Sequence, residues 1–169
     1  RICFVNKLDR DTLDPIDVLD EIETVLNIKC APINWPLGMG KEFKGVYNLY
    51  TDTIHVYTKG QGSQIPDEIL IKGLYGADAD ELMGSYGEDF RNQIELVRGA
   101  SHEFDKSAYL KGEMTPVYFG TALGNFGVKE MIDDFVEWAP APLDRVTETR
   151  TVKAQEASFS GFEFKIQAN

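Results

Sequence analysis

Two apolar runs far apart in the chain restrict its fold more than anything else: Ile2-Cys3-Phe4-Val5 near the start, and Met114 to Gly120 (Met-Thr-Pro-Val-Tyr-Phe-Gly) well downstream. Each closes abruptly on polar or small residues. That is how strands covered on both faces read, and such strands belong to the parallel sheets of α/β folds. If the strands ending at Val5 and Phe119 are parallel neighbours, the turns after them emerge on one rim of the sheet. Ligands of open α/β sheets sit at that rim, just past the carboxyl ends of the strands. The candidate site is therefore Asn6-Lys7-Leu8-Asp9 together with Thr121-Ala122-Leu123-Gly124.

The chemistry of these two turns suits a guanine base, and Asn-Lys-x-Asp is the spelling of the base-reading motif of GTP-binding proteins. Guanine carries two donors on one edge, the ring N–H and the exocyclic amine. The Asp9 carboxylate can accept both in a bidentate, charge-assisted pair that adenine cannot offer. The methylene stem of Lys7 can lie along the base plane, and the Asn6 amide can tie neighbouring loops together. The remaining handle of guanine is its O6 carbonyl. A backbone N–H at the second turn is a donor for it, with the small Ala122 allowing close approach. The Thr121 hydroxyl is placed to brace Asp9. The same residues also serve as a plain polar turn after a strand, with Asp9 or Asp11 as the turn residue.

Between the two runs, Asp14-Pro15 is a helix start, with Ile16, Leu19, Ile22, Val25 and Leu26 as its apolar stripe to about residue 27. This helix suffices for the crossover between the two strands, which ordinarily takes roughly 30 residues. Residues 30–99 then read as an α+β insertion. Ala31 to Pro36 is extended and suited to a sheet edge, and Phe43–Tyr50 and Thr53–Tyr57 form an alternating meander. Gly60-Gln61-Gly62-Ser63 is a flexible loop, and Ile69–Ile71 a short strand. Helical pieces follow over 79–83, 88–98 and 101–111, with Gly99 and Gly112 as stops. A further helix spans about 127–138, ended by Pro140-Ala141-Pro142. Residues 143–157 read as a linker, and Phe159 to Ile166 alternates like a strand that opens a new β unit.

Composition excludes several classes. A net charge of −11 argues against a broad phosphate-neutralising surface, so no sequence-specific nucleic-acid contact is expected. No apolar run is long enough to span a membrane as a helix. Cys3 and Cys30 have no metal spacing and read as reduced thiols of a cytoplasmic protein. His55, at an alternating strand position, reads as an ordinary histidine, and the many acidic residues read as a solvated surface. No catalytic residue and no metal ligand is expected. The chain opens without Met and closes straight after a strand-like run, so it reads as part of something larger.

Taken together, Asn6–Arg10, Gly120–Val128, Trp138–Pro142 and Phe159–Asn169 resemble the translational GTPases of the elongation factor G type. Cys30–Gly38, Phe43–Tyr47 and Leu96–Ser101 narrow the resemblance to the bacterial class II peptide-chain release factors. The resemblance implies an α/β fold, the C-terminal part of a P-loop GTPase domain over 1–29 and 100–142. It implies an inserted subdomain over 30–99, and a linker with the first strand of a following β-barrel domain over 143–169. It implies that Asn6, Lys7 and Asp9 read the base of GTP or GDP and that Thr121, Ala122 and Leu123 form the second base loop. The partners it implies are the ribosome and the class I release factors. Thr121 stands where many GTPases have Ser, which keeps the hydroxyl. There is no G-x-x-x-x-G-K-[ST] phosphate loop, Mg²⁺-binding switch or water-ordering His in the sequence, so this chain alone is expected not to hydrolyse GTP. Two other readings stay open: an acidic docking module that meets a basic or apolar partner such as a ribosomal stalk protein, and a free-standing α/β enzyme using its carboxylates.

Overall fold

The structure, a computed structural model, describes residues 1–57 and 68–167, and it divides into two compact units, Arg1–Trp138 and Ala139–Asn169. The Gly60–Ser63 loop expected from the sequence lies outside the described residues.

The first unit is mixed α/β. β1 (Cys3–Val5) leads through a polar loop into α1 (Pro15–Leu26). The start of α1 follows from two adjacent residues. The Asp14 carboxylate accepts from the Ile16 N–H at 2.8 Å, and Pro15 supplies a helical φ without an N–H to satisfy. Asn27, in the left-handed conformation, closes it. Leu19 is buried and Ile16 and Ile22 pack on the core, but Val25 and Leu26 at the end of the expected stripe are exposed.

α1 delivers the chain to β2 (Lys29–Pro32), and the later strand β7 (Met114–Phe119) lies between β1 and β2, parallel to both. Val5 pairs with Phe119, as the two apolar runs predict. The crossover differs from the expectation: the helix carries the chain past the position of β7 to its far side, and β7 returns into the gap. The parallel sheet therefore takes in Lys29–Pro32, of which Cys30–Pro32 lie in the stretch read from sequence as insertion. Pro32 and Pro36 both lie on edge strands, where a missing N–H is tolerated.

An antiparallel sheet follows, in the order β3 (Asn34–Leu37), β4 (Gly45–Asn48), β5 (Thr53–Tyr57), β6 (Glu68–Lys72). Gly45 is a position of close approach: a Cβ there would stand 2.0 Å from the His55 carbonyl oxygen. α2 (Ala77–Met83), α3 (Gly87–Ala100) and α4 (Lys106–Lys111) return the chain to β7. α3 runs through Gly99 and stops at Ser101, whose N–H and hydroxyl both donate to the Val97 carbonyl, so Gly99 is not a stop. The helix expected over 101–111 begins only at Lys106, where the Asp105 carboxylate caps it by accepting from the Ala108 N–H; Gly112 ends it in the left-handed region.

One hydrophobic core joins the two sheets. Trp35 of β3 meets Phe119 of β7 edge to face at 5.2 Å, and Tyr47, Ile54, Phe90, Ile94 and Val97 continue the same cluster. α5 (Val128–Trp138) follows β7, and the Tyr118 hydroxyl donates to the Asp134 carboxylate at 2.6 Å to fasten it. Burial raises the Tyr118 pKa far above the ordinary phenol range, with the bond to Asp134 adding to it. The apolar stripe of α5 stays largely open, with Ile132, Phe135 and Val136 exposed. No helix among the described residues is long and apolar enough to cross a membrane.

The second unit carries a two-stranded hairpin, β8 (Arg145–Val146) with β9 (Thr151–Val152). Arg150 bridges Glu156 through both of its terminal nitrogens. The strand expected over Phe159–Ile166 does not form. Phe159, Phe162, Phe164 and Ile166 are all exposed, and the alternation finds no partner strand among the described residues to pair with.

Candidate functional site

The two predicted turns emerge side by side because β1 and β7 are neighbours in register. Two backbone bonds stitch the strand ends together: Gly120 N–H to the Val5 carbonyl at 3.0 Å, and Leu8 N–H to the Gly120 carbonyl at 3.1 Å. Leu8 is the one buried residue of the first turn and anchors it to the core, leaving Asn6, Lys7 and Asp9 exposed on the rim. Lys7 takes a left-handed φ of +72°, a conformation costing a non-glycine residue about 1 kcal/mol or more.

The Asn6 side chain is the clasp. Its Oδ1 accepts from the Lys7 N–H at 2.8 Å and from the Ala122 N–H at 2.9 Å, joining the two turns directly. The tie between loops expected of Asn6 is present, and it engages a backbone N–H of the second turn, the turn expected to offer an N–H to a guanine O6. In this structure the Ala122 N–H is committed to Asn6 rather than open to a ligand. The expected brace from Thr121 to Asp9 does not form either. Thr121 is buried beneath its own turn, where its backbone exchanges two hydrogen bonds with Phe126, at 3.1 and 3.0 Å. Asp9 stays on the exposed rim. Leu123, the third residue of the second turn, is 89% exposed.

The turn from Gly120 to Gly127 is shaped by its glycines. A Cβ on Gly120 would stand 2.1 Å from the Phe126 carbonyl oxygen. Gly127 has φ +74°, and its Cβ would fall 2.6 Å from the Phe119 carbonyl oxygen. Asn125, at φ +60°, donates its N–H to the Ala122 carbonyl and closes the turn.

Behind the rim lies a residue the sequence reading passed over. Asn34, 1% exposed at the start of β3, accepts from the Phe119 N–H through Oδ1 at 2.7 Å and donates from Nδ2 to the Phe119 carbonyl at 3.2 Å. One amide thus satisfies both backbone groups at the last residue of β7. The available signal was a lone amide in an otherwise apolar run, Ile33-Asn34-Trp35. A second link runs from the 3₁₀ turn Gly40–Glu42, where the Gly40 N–H donates to the Leu8 carbonyl at 2.9 Å.

A separate ionisable group sits away from the rim. His55 Nδ1 lies 2.6 Å from Glu68 of β6 and 3.0 Å from Glu130 of α5. His55 is thus a cross-strand histidine, as its alternating position suggested, with a second carboxylate added from α5. Burial alone would lower its pKa, but the hydrogen bonds to Glu130 and Glu68 outweigh that and raise it above its ordinary value. The ligand atoms of the three side chains lie within 4.8 Å of one another, and both contacts to His55 are at hydrogen-bond distance. Cys30 is buried and Cys3 partly buried, both as free thiols. Burial pushes Cys30 up to about 12, with Glu23 and Cys3 contributing, so it is an unreactive thiol.

No protein-family profile matches the chain. Among solved structures, a crystal structure of a protein from Thermus thermophilus is similar at 17% identity with a TM-score of 0.54, over 83% of this chain and 22% of that one. At that identity the likeness concerns the fold alone. The chain spans about a fifth of the length of this neighbour, with which it shares a mixed α/β architecture.

Proposed function

We propose that Asn6, Lys7 and Asp9, with Thr121, Ala122 and Leu123, read the guanine base of GTP or GDP. In this reading the first unit is the C-terminal part of a P-loop GTPase domain with an inserted subdomain. The protein is a translational GTPase of the elongation factor G type, with release factor 3 the member its motifs resemble most. Such a factor acts on the ribosome in the cytoplasm during termination and promotes departure of class I release factors. The observation that carries the reading is the Asn6 clasp, one amide binding the N–H groups of both turns at 2.8 and 2.9 Å. It holds the carboxylate-bearing turn beside the second loop at the carboxyl ends of two adjacent parallel strands, with Asp9 exposed on the rim. The exposed Asp9 carboxylate fits the donor edge of the base, and Ala122 contributes through the clasp to Asn6 rather than through O6. Phosphate and Mg²⁺ ligands are not assigned to any residue of this chain. Mg²⁺, where bound in the complete protein, supplies charge neutralisation at the phosphates.

The test is Asp9→Asn in the complete factor. A carboxylate accepts both guanine donors, whereas an amide accepts one hydrogen and offers one, which suits xanthine. GTP affinity is expected to fall on the order of 10- to 100-fold, the worth of about 1.5–3 kcal/mol for a charged hydrogen-bonded contact, and xanthosine triphosphate to bind more tightly than GTP. An unchanged nucleotide preference removes Asp9 from the role. The chain by itself is expected to bind GTP only weakly in calorimetry, because phosphate contacts are missing from it.

A further inference from the structure

A cavity of about 440 Å³ lies between the loop before α1, the 3₁₀ turn after β3 and the helices α2 and α3. Its volume falls in the range of small-molecule sites. Trp35, Met39, Met83 and Tyr86 supply apolar and aromatic walls, two of them the soft, adaptable thioethers that re-pack around a guest. Its charge is one-sided. Asp11, Asp14 and Glu42 contribute three exposed carboxylates, and Lys44 is the one cation among the described residues that line it. That ammonium is already directed elsewhere, donating to the Leu82 carbonyl at 2.7 Å. Gln93 accepts from the Tyr86 hydroxyl at 3.2 Å, which holds that ring in place.

We propose that this cavity is a second ligand site, taking a small molecule with an aromatic or branched apolar body and a protonated amine. The body replaces water against the aromatic and thioether walls. The cation meets the carboxylate rim and can lie near the aromatic faces. An anion of the same shape is repelled by the same rim. The site is separate from the guanine rim, although the turn that forms part of its wall is fastened to the Leu8 carbonyl through Gly40.

The experiment uses the chain with ¹³C-methyl methionine, titrated with 2-phenylethylammonium, 2-phenylethanol and 3-phenylpropionate. The expected result is saturable movement of the Met39 and Met83 methyl resonances with the ammonium, while Met114 and Met131, which do not line the cavity, stay fixed. The neutral alcohol is expected to bind about fivefold more weakly, the worth of one exposed charge interaction, and the carboxylate more weakly still. In the double variant Asp11→Asn, Glu42→Gln the preference for the ammonium is expected to collapse, with an otherwise native methionine spectrum reporting the fold. The proposal is overturned if the ammonium moves neither methyl at about 10 mM, a concentration that already allows for very weak binding. It is equally overturned if all four methionines move together, or if the carboxylate binds as tightly as the ammonium. No nucleotide enters the measurement, so its outcome is independent of the guanine reading.

Discussion

Asn34→Ala is expected to be among the most damaging single changes that leave the surface untouched. Asn34 spans both backbone groups of Phe119 at 2.7 and 3.2 Å from a position 1% exposed. Each bond contributes about 1 kcal/mol net, and stranding the buried Phe119 N–H adds about 1–3 kcal/mol of uncompensated desolvation. The sum is about 3–5 kcal/mol, a large part of the roughly 5–15 kcal/mol that holds a domain folded. In urea denaturation followed by far-UV circular dichroism, with a slope of about 2 kcal/mol per molar, the midpoint is expected to fall by about 1.5–2.5 M. Asn34→Asp separates the hydrogen bonds from the loss of volume. It keeps an acceptor for the N–H but faces the Phe119 carbonyl with a second oxygen, so only the protonated acid can restore both bonds. Its folded pKa is therefore raised, and its deficit against the wild type should shrink as pH falls through that raised value and level off once pH is below the unfolded pKa of about 4. An Asn34→Ala variant within about 0.5 kcal/mol of the wild type would refute the assignment, as would an Asn34→Asp deficit that ignores pH.

Other perturbations follow from the same geometry. His55, with its pKa raised by Glu130 and Glu68, contributes stability that is fully present below its unfolded pKa of about 6.5 and is lost as pH rises through the higher folded value. His55→Gln is therefore expected to flatten the stability profile above that pH in denaturant titrations, and an unchanged profile counts against the ion pair. Gly120→Ala places a methyl 2.1 Å from a carbonyl oxygen, and overpacking of that kind costs about 1–3 kcal/mol, readable as a drop in thermal midpoint. Asp14→Ala removes the cap of α1 and is expected to cost about 1 kcal/mol in the same assay.

Much of the frame was legible because it rests on local rules. Ile2–Val5 and Met114–Phe119 read as strands from their apolar character, although only the second is buried throughout and β1 is half-buried at the sheet edge, and Asp14-Pro15 marked the start of α1 to the residue. What escaped was partnership. A four-residue strand containing Pro32 does not announce which neighbour it will take, so its place beside β7 could not be read from Lys29–Pro32 alone. Asn34 and Glu130 were missed because their partners, Phe119 and His55, are distant in sequence, and long-range pairing leaves no periodic trace. At the site, the rim was foreseen but the use of its groups was not. Asn6 was expected to tie loops together, yet nothing in the letters said that the N–H it would take was that of Ala122. The tail misled in the opposite direction: alternation over Phe159–Ile166 describes a capacity to pair, and a strand exists only where a partner accepts it.

The placement of β7 between β1 and β2 has a consequence for synthesis. Among the described strands, β1 and β2 hydrogen-bond only to β7, so within this chain neither gains a partner strand until residues 114–119 have left the ribosome. Asn6–Asp9 is thus made more than a hundred residues before the turn that it clasps. While the antiparallel sheet and its helices can gather locally, Asn6–Asp9 lacks its clasp partner until Ala122 is made. Pairing so distant in sequence closes late and slowly. A nascent chain stalled before β7 should leave residues 1–32 open to protease, and extending it through β7 and its turn should close them.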